Sequence, residues 1–297
     1  MMAPAILATT NALNSQRIMI YLFPGQGSQS KGMGEGLFKR YPHITEEASD
    51  ILGYDIQVLC LEDPDEKLGQ TQYTQPALFT VSALSYLAAL ETSGEKPAMM
   101  AGHSLGEYNA LYAANAFDFA TGLRLVQKRG ALMAEAKGGG MAAVIGLTHN
   151  QVAQVLDAAG QGQVGLANLN APTQIVVSGA QEMIPALQDA FKEAGAKRYI
   201  PLNVSGAFHS PFMEPAKSAF EAFLADASLK DPELPVISNV EAKPYAPGSI
   251  QQLLAKQITS PVRWCESICL MNQEPDAVFE EIGPGNVLKG LLRQILR

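Results

Sequence analysis

The run Gly102-His103-Ser104-Leu105-Gly106 constrains this chain more than any other feature. A short apolar segment, Pro97 to Ala101, precedes it, and the helix-forming stretch EYNALYAANA follows. Strand, sharp turn and helix in that order is the setting in which the serine of a G-x-S-x-G pattern stands exposed on a strained turn. Glycines two places before and after it permit a backbone approach that side chains would block. The hydroxyl then lies at a helix N-terminus, where free N–H groups and the helix dipole favour developing negative charge. Ser104 is therefore the candidate nucleophile, and the Leu105 N–H is the expected oxyanion donor. Five residues of this kind also fit an ordinary glycine-rich turn; the flanking elements favour the catalytic reading.

A serine hydroxyl needs a base. The chain has four histidines. His43 follows a proline in a polar stretch and is expected at the surface. His149 falls at a helix start, where capping suffices to explain it. His103 adjoins the serine in sequence, so its side chain should point away from that of Ser104. His209 remains, in the small-residue loop Ser205-Gly206-Ala207-Phe208-His209-Ser210-Pro211, and is the best candidate base by elimination.

Composition narrows the function classes. The chain has 297 residues, 47% of them hydrophobic, enough for one large domain or one domain carrying a smaller insert. Its formal net charge is −8, and no run of Lys and Arg offers the concentrated basic surface that nucleic acid requires. Three cysteines, Cys60, Cys265 and Cys269, make no disulfide framework, and no histidine or second pair stands near enough in sequence to suggest a zinc site. No apolar run reaches the roughly 20 residues that span a membrane. The opening MMAPAILATTNALNSQ lacks a basic start, so residues 1–17 are expected to be a disordered leader or the product of a wrongly chosen start, not a signal peptide. The expectation is a soluble cytoplasmic protein without metal.

Along the chain, Ile18 to Phe23 is a continuous apolar run stopped by PGQG, as in a buried strand opening into a loop. Gln75 to Ser93 and Phe119 to Ala136 carry helical spacing, the second with Arg124, Lys128 and Arg129. The character changes at Lys137-Gly138-Gly139-Gly140. Beyond it the predicted elements are strands at Met141 to Leu147, Val164 to Ala167, Gln174 to Ser178 and Lys197 to Leu202. Helices at Asn150 to Ala159 and Ile184 to Ala194 complete the β-α-β-β-α-β order of a ferredoxin-like unit. Strands at Leu234 to Ser238 and Ala277 to Ile282, the latter followed by GPGNVL and a helix, return the chain to the larger domain. The expected boundaries are residues 18–138 and 206–297 for that domain and 139–205 for the insert.

GQGSQ after the first strand, GHSLGEY, a downstream arginine, ANLNAPTQIVVSG, GAFHS and EIGPGNVL occur in this order. With these motifs the sequence resembles malonyl-CoA:acyl-carrier-protein transacylases from about Ile18 to its end. KGMG, TQPAL, GGGMAAVIGL and SPVRW make it similar to the free-standing, trans-acting acyltransferases of polyketide synthases. The resemblance implies an α/β fold: a large α/β-hydrolase-like domain with a parallel sheet, plus an inserted ferredoxin-like domain, and a cleft between them. It implies malonyl-CoA as substrate, an acyl carrier protein as partner and no bound cofactor.

Residue by residue, the resemblance makes Ser104 the nucleophile and His209 its base. Gln26 joins the Leu105 N–H in the oxyanion hole. A backbone carbonyl matched to Gln257 orients the histidine. Arg129 grips the malonyl carboxylate, Phe208 crowds the carbon between the two carbonyls, and Asn168 and Asn170 belong to a loop lining the cleft. Two related activities share the Ser/His pair. One is a trans-acting acyl hydrolase that clears carrier proteins, which has no use for a carboxylate clamp at Arg129. The other is the malonyltransferase of primary fatty-acid synthesis. A larger extender unit is disfavoured by Phe208, and a non-enzymatic docking subunit by the filled catalytic positions.

Overall fold

A computed structural model describes residues 17–297, so the expected leader lies outside the described residues except for Arg17. The eight strands described are β1 (Ile18–Phe23), β2 (Met99–Gly102), β3 (Gly139–Ile145), β4 (Val164–Ala171), β5 (Gln174–Ala180), β6 (Arg198–Pro201), β7 (Val236–Ile237) and β8 (Ala277–Glu281). They form two sheets. One has the order β7-β2-β1-β8 with every pair parallel. The other has the order β4-β5-β3-β6 with every pair antiparallel, and all its strands lie within residues 139–205. With helices at His149–Ala159, Met183–Ala186 and Gln188–Glu193, this second unit has the ferredoxin-like order.

The apolar run of β1 is continuous because helices cover both faces of its sheet. Tyr21 and Phe23 enter a core shared with Leu78, Phe79 and Tyr86 on one side, while Ile20 and Leu22 pack with Trp264, Ile268 and Leu288 on the other. The insert has its own core, centred on Val144, Val177 and Phe191. The two units join where Val262 N–H donates to Ala167 O at 2.8 Å and Leu169 N–H donates to Val262 O at 2.9 Å.

Three expectations change. The strand predicted over Leu234 to Ser238 shrinks to two residues, since Pro235 has no N–H to donate and the Ser238 N–H turns to Lys243 O. The helix predicted over Ile184 to Ala194 is interrupted at Leu187. Asn168 and Asn170 do not lie in a loop: β4 continues through them to Ala171, with register shifts at Leu166/Asn168 and Leu169/Ala171. Bulges of this kind keep pairing while re-aiming side chains, so a polar stretch that reads as loop is accommodated within a strand.

Candidate active site

Parallel pairing of β1 with β2 sets Phe23 opposite Gly102, so the loops after both strands leave the same edge of the sheet. That carboxyl edge is where open α/β sheets place ligands. The turn after β2 is held by close backbone contact. A Cβ on Gly102 would sit 1.9 Å from Gly106 C and O, and one on Gly106 would sit 2.1 Å from Phe23 O. Ser104 itself has φ 51°, the left-handed region that costs a non-glycine residue of order 1 kcal/mol or more. Asn239 fixes this turn: its Oδ1 accepts the Ser104 N–H at 2.7 Å, and its Nδ2 donates to Gly102 O at 2.7 Å. Sequence reasoning missed Asn239, whose only signal is its place just after a short apolar run.

The Ser104 hydroxyl and His209 Nε2 lie 2.8 Å apart, although 105 positions separate them. His209 Nδ1 meets two backbone carbonyls, Gln257 O at 2.9 Å and Ser260 O at 3.1 Å. Carbonyls only accept, so Nδ1 carries the proton and Nε2 is free to take one from the serine. Among the described residues no carboxylate bonds this imidazole. Burial first, and then the nearby Arg129 charge, push the His209 imidazole down to about 3 against the upward pull of the two carbonyls. The sign is that of a depressed base: His209 stays neutral at every pH above that value. Nitrogen chemical shifts should therefore show one neutral, Nδ1-protonated tautomer from about pH 5 to 8. A protonation midpoint near the ordinary histidine value of about 6.5 would show that burial and the Arg129 charge do not hold the imidazole down.

Neither the Leu105 nor the Gln26 N–H finds an acceptor among the described residues. Gln26 is half-buried on the cavity wall, and its side-chain amide donates to Thr71 Oγ1 at 3.3 Å. The cavity itself, about 110 Å³, is bounded by Ser104, His209, Leu105, Gln26, Arg129 and Phe208, with Asn168 on the insert side. Asn170 takes a different part. Its Oδ1 lies 2.7 Å from His103 Nε2, and the His103 ring packs against Trp264 at 5.3 Å, so both residues brace the turn. The other two histidines lie elsewhere: His43 is exposed on the helix Pro42–Leu52, and His149 begins its helix after Thr148, which supplies the cap.

Arg129 is 1% exposed. Its Nη1 donates to Gln75 Oε1 at 2.7 Å, and its Nη2 donates to Gln257 Oε1 at 2.9 Å and to Ser104 Oγ at 3.1 Å. The Tyr108 ring lies 5.5 Å from its central carbon. None of the ion pairs among the described residues includes it. A buried guanidinium held only by neutral oxygens at a cavity wall favours an incoming anion. Gln75 and Met133, which complete its surroundings, were not singled out from sequence, although Gln75 lies in the quoted TQPAL motif. Gln257 contributes more than the carbonyl assigned to it: its side chain touches Arg129, Ser104 O and Glu107.

A strained serine on a helix N-terminus, a neutral imidazole aimed at it and two free N–H groups beside it equip a protein for acyl chemistry through a covalent ester. Among the described residues no group of three or more His, Cys, Asp or Glu is placed to hold a metal, and no helix is long and apolar enough to cross a membrane. The chain belongs to the acyl transferase domain family, which it matches over residues 20–297. It is 51% identical over 279 residues to the polyketide biosynthesis malonyl CoA-acyl carrier protein transacylase PksC of Bacillus subtilis, covering 94% of this chain and 97% of that protein. It is equally 51% identical, over 276 residues and 93% of its own length, to the polyketide biosynthesis protein ThaF of Burkholderia thailandensis, but spans only 24% of that longer chain. The crystal structure of a malonyl CoA-acyl carrier protein transacylase from Burkholderia pseudomallei matches with a TM-score of 0.91 at 48% identity, covering 95% of this chain and 99% of that one.

Proposed function

We propose that the protein moves malonyl groups from malonyl-CoA to the phosphopantetheine thiol of an acyl carrier protein, acting in trans for polyketide assembly. The observation that carries this reading is the Arg129 guanidinium, buried, without an ion pair, and 3.1 Å from the Ser104 hydroxyl. A malonyl group esterified at Ser104 carries a second carboxylate that needs such a partner. The polyketide setting is supported by the identity to PksC over nearly its whole length. A hydrolase of uncharged acyl groups would gain nothing from this arginine.

In the first half-reaction Ser104 Oγ attacks the thioester carbonyl while its proton passes to His209 Nε2. The Leu105 and Gln26 N–H groups receive the oxyanion. The C–S bond breaks, and His209 returns the proton to the departing coenzyme A thiolate. In the second half the carrier thiol gives its proton to His209 and attacks the ester carbonyl; the C–O bond to Ser104 breaks and the serine regains its proton. The malonyl carboxylate draws Arg129 Nη2 away from Ser104 Oγ, which frees a lone pair of the nucleophile. It also cancels a positive charge that weakens His209 as a base. Every group in this scheme comes from the chain, so no cofactor enters it. The three cysteines are free, which suits the reducing cytoplasm.

Intact-mass measurement after mixing with malonyl-CoA tests the scheme: a malonyl ester on the Ser104 peptide that is passed to a phosphopantetheinylated carrier supports it, and no ester rejects it. Phe208, 6% exposed, lines the cavity beside His209, where it is expected to crowd the middle carbon of the acyl group. Phe208→Ala is expected to reduce discrimination against methylmalonyl-CoA by about tenfold or more, the scale of one methyl in a tight pocket. Competitive loading of a carrier protein from mixed acyl-CoAs reads this ratio.

A further inference from the structure

Behind the serine lies a carboxylate that the transfer scheme does not use. Glu107 is fully buried, three residues after Ser104 at the start of the helix Gly106–Ala113. Its Oε1 accepts the Tyr245 hydroxyl at 2.6 Å and the Asn239 N–H at 3.0 Å, and its Oε2 accepts from Gln257 Nε2. Burial pushes the carboxyl up to about 7, and the donors from Tyr245, Gln257 and Asn239, with the Arg129 charge, pull the other way. We propose that Glu107 is a positioning residue that fixes the sense of the Gln257 side-chain amide and, through it, aims Arg129. The inference rests on the transfer reaction proposed above.

A carboxylate only accepts hydrogen bonds and a guanidinium only donates them. Gln257 stands between the two. With its NH2 toward Glu107, its Oε1 is left for Arg129 at 2.9 Å, and Nε2 also donates to Ser104 O at 2.9 Å. Turned over, the amide would set oxygen against carboxylate and NH2 against guanidinium, losing both bonds. The charge on each side therefore leaves one orientation. The backbone of the same residue holds the imidazole, since Gln257 O accepts from His209 Nδ1 at 2.9 Å. One glutamine thus carries the base on its carbonyl and the acyl clamp on its side chain, and Glu107 sets the second.

The arrangement also answers an electrostatic problem. A buried guanidinium needs a counter-charge, yet a carboxylate bonded directly to it would occupy the edge a substrate carboxylate must reach. In its ionised form, which the Tyr245, Gln257 and Asn239 donors and the Arg129 charge favour against burial, Glu107 supplies the negative charge one amide away. It stabilises Arg129 through Gln257 and leaves the cavity-facing Nη2 free to exchange Ser104 Oγ for substrate.

Three variants test this by single-turnover formation of the Ser104 ester from malonyl-CoA and, separately, from acetyl-CoA, with melting curves to confirm folding. Glu107→Gln keeps the shape but lets the facing amide take either sense. It is expected to slow malonyl loading at least ~10-fold and to lower the malonyl-over-acetyl preference by a similar factor. Pairing it with Gln257→Glu moves the carboxylate directly onto Arg129. That double variant is expected to keep acetyl loading near the wild-type level while its malonyl preference stays lost, which a merely structural role would not produce. Should Glu107→Gln fail to fold, Gln257→Met cuts the relay at its other end with the same expected loss of preference. Unchanged malonyl rate and preference in the folded variant, or equal loss for both acyl groups, overturns the inference. A wild-type enzyme that forms no malonyl ester would instead sink the transfer reading, and this inference with it.

Discussion

Replacing Arg129 with alanine is expected to lower kcat/KM for malonyl-CoA by roughly 10²–10⁴-fold while leaving slow acetyl loading near its original level. The estimate follows from two charge-assisted hydrogen bonds to the far carboxylate, each contributing about 1.5–3 kcal/mol in a dry site, with about 1.4 kcal/mol per factor of ten. The effect belongs to discrimination as much as to rate. Among the described residues no carboxylate pairs directly with the native guanidinium, so the direct ion pair it lacks in the free protein a malonyl group supplies. Arg129→Lys keeps the charge and loses the planar fork, so it should fall between the two. Loading of a carrier protein from equal malonyl- and acetyl-CoA, read by intact mass, gives the ratio directly. An unaltered ratio in Arg129→Ala would remove the carboxylate clamp from the mechanism.

The second large effect concerns the Ser104–His209 pair. Ser104→Ala should abolish the acyl ester altogether, because no other nucleophile lines the cavity at that position. His209→Ala should keep the ester but slow its formation by about 10²–10⁴-fold, the usual contribution of a positioned general base. The imidazole is oriented by the carbonyls of Gln257 and Ser260 and not by an acid. It follows that no carboxylate-to-alanine change in direct contact with His209 exists to be made. Rapid quench with mass detection separates the two variants: no adduct in the first, delayed adduct in the second. Equal rates in wild type and His209→Ala would show that the base lies elsewhere.

Much of the frame could be read from local sequence. Ile18 to Phe23 is a strand at both predicted ends because an apolar run stopped by Pro-Gly has few other outcomes. The turn around Ser104 was equally legible, since only glycine tolerates the contacts at positions 102 and 106. Arg129 had a signal that spacing alone could have sharpened. It shares the buried face of the helix Phe119–Glu135 with Val126, Gly130 and Met133, whereas Arg124 is exposed. Asn168 and Asn170, which the resemblance assigned to a loop, stay in a strand because β4 keeps pairing with β5 through its register shifts.

Residue order and spacing determined the elements and singled out Ser104, because strands, helices and tight turns depend on contacts within a few residues; His209 came by elimination and Arg129 only from the family resemblance. The tertiary structure alone decided that Gln257 would bond Glu107, 150 positions away, that Asn239 would clamp the serine turn, and that Arg129 would donate to Gln75, Ser104 and Gln257. Hydrogen-bond partners of buried polar groups are set by how whole helices pack against the sheet edge. No local pattern encodes that packing, so the polar interior of this site became visible only once the chain was folded.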